Sequence, residues 1–390
     1  MTVQNNLKTI GIVTTSRADY GIYYPILKKL DEFPSLNLKL FVAGMHLSNE
    51  FGKTIDTIHN DGFIISEKVE MLLASDTPDA ISKSIGMGTI SFSQCFSNNR
   101  PDILLVLGDR FEMYSAVIAA LPYNIPIAHI HGGEITQGAI DDVIRHSITK
   151  HSHLHFVSTT EYAKRVYQMG EEKWRIIISG APSIDNLKLI KLLNKNELEN
   201  RLNIVINNPV LLITFHPVTL EYDQTQWQIN ELLASIKNFS NYSIIFTFPN
   251  ADTNGRIIIN QIRHFVNSST NSFFIDNLGS QAYFSLMNLA SAMIGNSSSG
   301  IIESASFKLP VVNIGTRQSG RIKGKNVIDV DYNHENIVNA IKKATHQGFI
   351  NSLRNINNQY GDGDAAEKIL NKLNEKICYR KLLCKKFQDW

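Results

Sequence analysis

The sequence predicts an α/β protein of two Rossmann-like domains, each built on a parallel sheet, with a cleft between them. Short apolar runs rich in β-branched residues alternate with helical stretches along the whole chain. These runs are continuous in apolar residues, which is typical of strands buried on both faces. The chain has 390 residues, which is too long for one ordinary core.

The strand candidates form two series of about six each. They comprise residues 9–14, 38–44, 102–108, 126–132, 154–158 and 175–180, and then 210–217, 242–249, 272–276, 291–296, 310–315 and 326–330. We predict a domain boundary near residue 185, with an N-terminal domain over 1–185 and a C-terminal domain over 186–362. Because ligands of open parallel sheets bind at the carboxyl ends of the strands, site residues should follow the strands directly.

Composition and charge exclude several classes of protein. A net charge of +2 gives no reason to expect a nucleic-acid partner, and no apolar run approaches the roughly 20 residues that a membrane span needs. The N-terminus has no signal-peptide pattern, and three cysteines without a CxxC motif fit a reducing cytoplasm and no structural zinc. We therefore expect a cytoplasmic protein. One basic cluster near the C-terminus is interpreted as a solvated helix face: Lys376, Arg380, Lys381, Lys385 and Lys386.

The segment HIHGGEITQGAIDDVIRH (129–146) belongs to a histidine-rich region, since six of the 12 histidines lie between His129 and His155. Their spacing gives no compact set of three or four ligands, so we expect no metal. His129 and His131 share a face of the predicted strand and are interpreted as strand or pocket-wall residues. Glu134 follows a Gly-Gly turn that allows backbone to approach a ligand closely. Asp141 and Asp142 open a predicted helix, where an acidic residue also simply favours the helix dipole.

Charged residues follow strands in both halves of the chain. Four arginines are candidate partners of a diphosphate, because a planar guanidinium donates two parallel hydrogen bonds: Arg17, Arg110, Arg317 and Arg321. Surface or structural salt bridges are the alternative for each of them. Asp109 precedes Arg110, and His216 ends a buried-looking strand, where it is either a structural group or a catalyst.

The turn GNSSSGIIE (295–303) is the best candidate for phosphate binding. Ser297 and Ser298 can bond phosphate oxygens where the turn opens a helix, and Glu303 suits a ribose diol. Plain N-capping by serine is the alternative. The turn is neither a P-loop nor a GxGxxG dinucleotide-binding fingerprint.

As a set, these motifs resemble those of the hydrolysing UDP-N-acetylglucosamine 2-epimerases, both the bacterial sialic-acid pathway type and the epimerase domain of the animal bifunctional enzyme. The resemblance covers about residues 7–370 and rests on TTSRADYG, GDRFE, HIHGGEITQGAIDDVIRHSITK, FHPVT, FPNADTNG, IGNSSSGIIE and VVNIGTRQSGR. It implies the GT-B fold, with a helical segment over 363–390 that crosses back to the N-terminal domain. It also implies a homodimer or homotetramer.

The resemblance implies a reaction in two steps that needs no cofactor. UDP-N-acetylglucosamine loses UDP by anti elimination to give 2-acetamidoglucal, and water then adds to give N-acetylmannosamine for sialic-acid-type nonulosonate biosynthesis. One group must remove the proton at C2 and another must return it on the opposite face. A carboxylate must also be compatible with the positive, oxocarbenium-like charge that develops at C1.

Carried over by position, the family's catalytic groups fall on Asp109, Glu134, Asp141 and His216. Its UDP contacts fall on residues that follow strands in both domains: Arg17, Arg110, His216, Asn250, Ser297, Ser298, Glu303 and Arg317. Three alternatives stay open. They are hydrolysis of UDP-2,4-diacetamido-2,4,6-trideoxyglucose in legionaminic acid biosynthesis, a GT-B glycosyltransferase that uses the same UDP site, and a non-catalytic UDP-sugar sensor.

Overall fold

The computed structural model describes residues 7–49, 53–75, 77–137, 140–247, 255–275 and 278–389. The chain forms two compact units. The first unit comprises Met1–Glu134, Ile140–Asn186 and Gly361–Trp390, and the second comprises Ile135–Ala139 and Leu187–Tyr360. No helix in the described residues is both long and apolar enough to cross a membrane.

The first unit is a parallel β-sheet against which helices pack. Its strands are β1 (Lys8–Thr14), β2 (Leu36–Ala43), β3 (Ile65–Val69), β4 (Ile103–Leu107), β5 (Ile127–Ile130), β6 (Leu154–Val157) and β7 (Ile176–Ile178). Its helices are α1 (Arg17–Leu30), α2 (Ile55–Asn60), α3 (Pro78–Asn98), α4 (Phe111–Ala120), α5 (Ile140–His151) and α6 (Thr160–Gln168), and α7 (Pro182–Leu189) begins in this unit and ends in the second. The strand order β3-β2-β1-β4-β5-β6-β7 is that of a doubly wound sheet, with its switch point between β1 and β4.

The second unit repeats this order. Its strands are β8 (Val210–Thr214), β9 (Ser243–Thr247), β10 (Ser272–Ile275), β11 (Ala292–Gly295), β12 (Val311–Ile314) and β13 (Val327–Val330). Its helices are α8 (Lys195–Leu202), α9 (Thr225–Ile236), α10 (Gly255–Asn267), α11 (Gly279–Leu289), α12 (Ser299–Ile302), α13 (His334–Ala344) and α14 (Gln347–Ser352). The parallel order β10-β9-β8-β11-β12-β13 places a second switch point between β8 and β11.

The predicted strands are all present, with ends within three residues of the prediction, but the first sheet has seven strands rather than six. The strand missed is β3 (Ile65–Val69), whose sequence is ISEKV. It lies at the edge of the sheet and most of it is half-buried, so it has no continuous apolar run.

The chain returns to the first unit after residue 360 and adds the helices α15 (Ala365–Asn374) and α16 (Tyr379–Leu383). Ile369 and Leu370 of α15 are wholly buried in the core that the first sheet forms. The backbone N–H groups of Ala365 and Ala366 donate to the carboxylate of Asp185, at 3.1 and 2.7 Å. The first unit is therefore built from both ends of the chain.

A buried arginine anchors the last residues of the chain to the first unit. Arg175 donates hydrogen bonds from its two terminal nitrogens to the carbonyl oxygens of His153, Lys381, Leu382 and Cys384. It also stacks on Trp174, with 4.2 Å from the guanidinium carbon to the ring centroid. No water reaches this side chain, so all of its donors must be satisfied by the protein.

The prediction that the C-terminal basic cluster forms a solvated helix face is wrong for Lys385. Its ammonium group donates to the carboxylate of Glu171, 2.8 Å away, and to the carbonyl oxygens of Lys150 and Ser152. Burial lowers the pKa of Lys385, while the bond to Glu171 opposes that shift. Helix α16 ends before this residue, so helical periodicity does not describe its position.

Several buried histidines make the stability of the protein depend on pH. Burial lowers the pKa of His46 to about 4, and the pKa values of His129 and His153 to about 3. Between these values and the ordinary value of 6.5, the unfolded chain binds more protons than the folded one, so stability rises with pH. We expect the free energy of unfolding to fall as the pH is lowered from 7.5 to 5, by up to about 1.4 kcal/mol per pH unit for each histidine. Urea denaturation across this range measures the slope, and a flat profile would contradict the expectation.

Candidate active site

The candidate site of the first unit lies where β4 and β5 end. Gly108 follows β4 with a positive φ of 72°, and its N–H donates to Ile130 of β5, so both strands end at the same level. His129 fixes this turn, because its Nε2 lies 2.8 Å from the carbonyl oxygen of Gly108. Asp109 is the next residue, and its side chain is only 23% exposed. The sheet therefore presents this carboxylate at its carboxyl edge.

Glu134 is buried with polar partners on two sides. Its Oε1 lies 2.6 Å from Nδ1 of His131 and accepts a hydrogen bond of 2.8 Å from the hydroxyl of Ser158, the residue after β6. Only 1% of Glu134 is exposed. A carboxylate so enclosed needs charged or hydrogen-bonding partners to remain buried.

Arg145 connects the two carboxylates. Its Nη2 forms an ion pair with Asp109, and its Nη1 donates to the carbonyl oxygen of His131 at 3.1 Å and lies 3.7 Å from Glu134 Oε2. The side chain is 3% exposed. Helix α5 carries Arg145 one turn after Asp141, so both residues lie on one side of the helix. One guanidinium thus holds Asp109 and Glu134 in a common network.

The Gly-Gly turn packs closely against a helix of the same unit. Gly133 has a φ of 75°, and a Cβ there would lie 2.7 Å from the carbonyl oxygen of Tyr162 in α6. Glycine is needed at this position because the turn packs against that helix. Close approach of the same backbone to a ligand stays a prediction.

Two arginines lie near the switch point of the first sheet. Arg17 is the first residue of α1 and is exposed, and Ser16 caps the helix by accepting a bond from the N–H of Asp19. Arg110 precedes α4, and its Nε and Nη2 lie 3.2 and 2.8 Å from the carboxylate oxygens of Glu112. Glu112 is wholly buried, so it holds Arg110 in one orientation while 32% of the arginine side chain stays exposed.

The second unit places His216 after β8, beside a residue that follows β11. The amide of Asn296 bonds the main chain of His216 in both directions, accepting from its N–H at 2.7 Å and donating to its carbonyl oxygen at 2.8 Å. Burial, together with the positive charge of Arg317, lowers the pKa of His216 well below its ordinary value. The imidazole is therefore neutral near pH 7. Arg317 also donates to the carbonyl oxygen of Asn296 at 3.3 Å.

The turn after β11 opens a helix of only four residues, α12, so the expected helix N-terminus is a single turn. Ser297 and Ser298 are half-buried there, and Glu303 is 7% exposed. Gly295 must be glycine, since its φ is 129° and a Cβ would lie 1.9 Å from the carbonyl oxygen of Thr214. The turn is thus fixed by the contact between β8 and β11.

The structure brings together Asp109 and Glu134, places Arg17 and Arg110 in the same unit, and places His216, Ser297, Ser298, Glu303 and Arg317 in the second unit. Asn250 lies outside the described residues. In the parts of the chain that are described, no group of three or more His, Cys, Asp or Glu side chains is arranged to hold a metal ion.

Three residues belong to these networks that the sequence did not predict as parts of them: Glu112, His131 and Arg145. His131 is not a strand residue, because β5 ends at Ile130 and the next residue turns to a φ of 65°. The spacing of Asp141 and Arg145, four residues apart on a helix, was a usable signal for an acid–base pair on one face.

Comparison with known proteins identifies a family. The sequence pattern of the UDP-N-acetylglucosamine 2-epimerase family matches residues 28–374. A relative from Campylobacter jejuni, named as a hydrolysing GDP/UDP-N,N'-diacetylbacillosamine 2-epimerase, is 43% identical over 84% of this chain and 85% of its own. The polysialic acid biosynthesis protein P7 of Escherichia coli is 40% identical over 91% of this chain and 90% of its own.

The fold is also that of a solved member. The crystal structure of the UDP-GlcNAc 2-epimerase from Neisseria meningitidis, bound to UDP-GlcNAc, matches with a TM-score of 0.81 at 18% identity, over 94% of this chain and 99% of that one. This likeness confirms the predicted α/β architecture of two Rossmann-like, parallel-sheet domains of the GT-B type. The family pattern and these relatives show that the chain belongs to the hydrolysing UDP-N-acetylglucosamine 2-epimerase family.

Proposed function

We propose that the protein is a hydrolysing 2-epimerase that acts on a UDP-linked 2-acetamido sugar. The observation that carries this proposal is the pair of carboxylates, Asp109 and Glu134, held on the guanidinium of Arg145 at the ends of adjacent parallel strands. The reaction needs at least two proton-transferring groups near C2 and a negative charge near C1. A chain of this family with such a network fits that requirement.

The proposed chemistry is an elimination followed by a hydration. In the elimination, a base takes the C2 proton, the C–H electrons form the C1=C2 double bond, and the C1–O bond breaks so that its electron pair leaves with UDP. In the hydration, water adds its oxygen to C1 and a proton returns to C2 on the opposite face. We assign catalysis to Asp109, Glu134, Asp141 and His216.

We assign UDP binding to the residues after the strands of both units: Arg17, Arg110, His216, Asn250, Ser297, Ser298, Glu303 and Arg317. Arg110 supports this assignment best, because the buried carboxylate of Glu112 fixes it while its side chain remains partly open to solvent. A guanidinium that is already oriented loses less conformational entropy when it binds a diphosphate.

Two sugars compete as the substrate. The relative of 43% identity is named for diacetylbacillosamine, which is 2,4-diacetamido-2,4,6-trideoxyglucose, and it favours the legionaminic-type reaction. The relative of 40% identity is named for polysialic acid, and it favours UDP-N-acetylglucosamine with N-acetylmannosamine as product. We rank the diacetamido sugar first, since the more similar of these two relatives supports it.

We expect the purified protein to release UDP from a UDP-linked 2-acetamido sugar with no acceptor and no added metal. In D₂O the free sugar should carry one deuterium at C2, because the proton that returns to C2 comes from a group that exchanges with solvent. Each of the two UDP-sugars is incubated separately, and UDP and the free sugar are followed by NMR. UDP release only after an acceptor is added would support the glycosyltransferase alternative. Tight binding without turnover of either sugar would contradict the proposal.

A further inference from the structure

His131 has an unusual backbone and a fixed ring. It is the first residue after β5 and has a φ of 65°, in the left-handed region that residues other than glycine rarely adopt. Its Nδ1 lies 2.6 Å from Glu134 Oε1 and 2.9 Å from the hydroxyl oxygen of Ser158. Backbone strain of this kind persists where the surroundings enforce it and is concentrated at functional sites.

The partner of Nδ1 determines which ring nitrogen carries hydrogen. A carboxylate accepts hydrogen bonds and does not donate them, so the hydrogen between Glu134 and Nδ1 belongs to the imidazole. A neutral imidazole protonated at Nδ1 has its lone pair on Nε2. In the described part of the chain, the hydrogen bonds of this ring are made by Nδ1.

His129, two residues earlier, shows the contrasting arrangement. Its Nε2 bonds the carbonyl oxygen of Gly108 and its Nδ1 bonds the hydroxyl of Thr149, so both nitrogens serve the fold. His46 likewise uses both nitrogens, on the hydroxyls of Thr14 and Thr54. His131 therefore differs from His129 and His46, because the hydrogen bonds described for its ring involve Nδ1 and its Nε2 is the nitrogen that can serve as a base.

We infer that His131 acts as a base through Nε2, with Glu134 orienting the ring from the other side. The inference rests on the proposed function. In the elimination, Nε2 takes the C2 proton, the C–H electrons form the C1=C2 bond, and the C1–O electron pair leaves with UDP. The carboxylate of Glu134 stabilises the imidazolium that forms, as in other carboxylate–histidine pairs. The imidazolium then gives its proton to water.

The geometry suits two proton-transferring groups in one network. Arg145 donates to the carbonyl oxygen of His131 and pairs with Asp109, so the base and the second carboxylate are held by the same side chain. Inversion at C2 requires that the proton leaves one face and returns to the other. We assign the return of the proton to Asp109, whose carboxylate first takes a proton from solvent and then gives it to C2 while water adds to C1 and loses a proton to solvent.

The substitutions His131→Asn and His131→Gln distinguish the role of the ring nitrogen Nδ1 from that of Nε2. The amide of asparagine can occupy the position of Nδ1 and keep the bond to Glu134, whereas glutamine places its amide near Nε2. If Nε2 is the base, both variants lose proton transfer, and we expect kcat to fall by at least about 100-fold. KM for the UDP-sugar should change by no more than about threefold, since UDP contacts remain. The wild-type release of UDP without an acceptor is the reference, so failure of the proposed function would be seen separately.

The matched control is His151→Gln, which replaces a half-buried histidine of α5 whose Nδ1 bonds the carbonyl oxygen of Ser147. We expect this variant to retain wild-type kcat. A His131→Asn variant with wild-type kcat would overturn the inference, because it would show that only the Nδ1 bond matters. Should neither variant fold, ¹⁵N NMR of the histidine-labelled wild type gives the tautomer. The inference requires hydrogen on Nδ1 of His131, and hydrogen on Nε2 instead would also overturn it.

Discussion

Glu134→Gln and Asp109→Asn should each slow UDP release strongly, with kcat lowered by about 10²- to 10⁴-fold. Both changes keep the size of the side chain and remove its charge. In Glu134→Gln the hydrogen bond from Ser158 can persist, but the charge that would stabilise a protonated His131 is lost. In Asp109→Asn the ion pair with Arg145 is lost. Single-turnover assays with each UDP-sugar measure the rate.

Asp102→Asn is the matched control for Asp109→Asn, because Asp102 lies at the opposite end of the same strand. It precedes β4 and accepts a hydrogen bond from the N–H of Thr9 at 2.7 Å. We expect its kcat to stay within about twofold of the wild type, as for other substitutions away from the site. Full turnover in both Glu134→Gln and Asp109→Asn would refute the catalytic roles assigned to the two carboxylates. Binding of UDP, followed by calorimetry, should survive in both.

Arg175→Ala should lower the free energy of unfolding of the first unit by about 3–5 kcal/mol. The substitution leaves the carbonyl oxygens of His153, Lys381, Leu382 and Cys384 without their donor and opens a cavity beside Trp174. Urea denaturation measures the loss. Hydrogen exchange of residues 376–389 should also become faster, because this segment loses its anchor.

Arg380→Ala provides the control for Arg175→Ala, since Arg380 lies in the same C-terminal region and is exposed. We expect it to change the free energy of unfolding by less than about 0.5 kcal/mol. Equal stability of the Arg175→Ala and Arg380→Ala proteins would show that the buried hydrogen bonds contribute nothing net. Arg175→Lys should fall between the two, because an ammonium keeps the charge and has three donors in place of five.

Much of the fold was predictable because buried parallel strands leave a clear pattern in the sequence. Residues 103–107 (ILLVL) and 210–214 (VLLIT) are buried throughout, and their continuous apolar runs predict this burial. Strand β3 was not predictable on the same basis, since an edge strand can carry Ser66 and Glu67 at half-buried positions and Lys68 at an exposed one. The position of Lys385 depends on a carboxylate more than 200 residues earlier, and no local pattern reports such a contact.

For the candidate site, the sequence indicates positions at strand ends but not the contacts between the side chains. Strand ends identified Asp109 and Glu134 as candidates, and the structure joins them through Arg145. Alternation along a strand assigned His131 to the face of His129, but a single left-handed residue breaks that alternation. The pairing of His131 with Glu134 follows from a dihedral angle, which residue type alone does not determine for histidine.

The return of the chain to the first unit has a consequence for synthesis on the ribosome. Residues 187–360, which make up most of the second unit, leave the exit tunnel before α15 and α16 do. The second sheet can therefore fold while the first still lacks Ile369, Leu370 and the carbonyl partners of Arg175. The half of the protein that is begun first is completed last, and a nascent chain stopped before residue 361 would expose apolar core surface to chaperones.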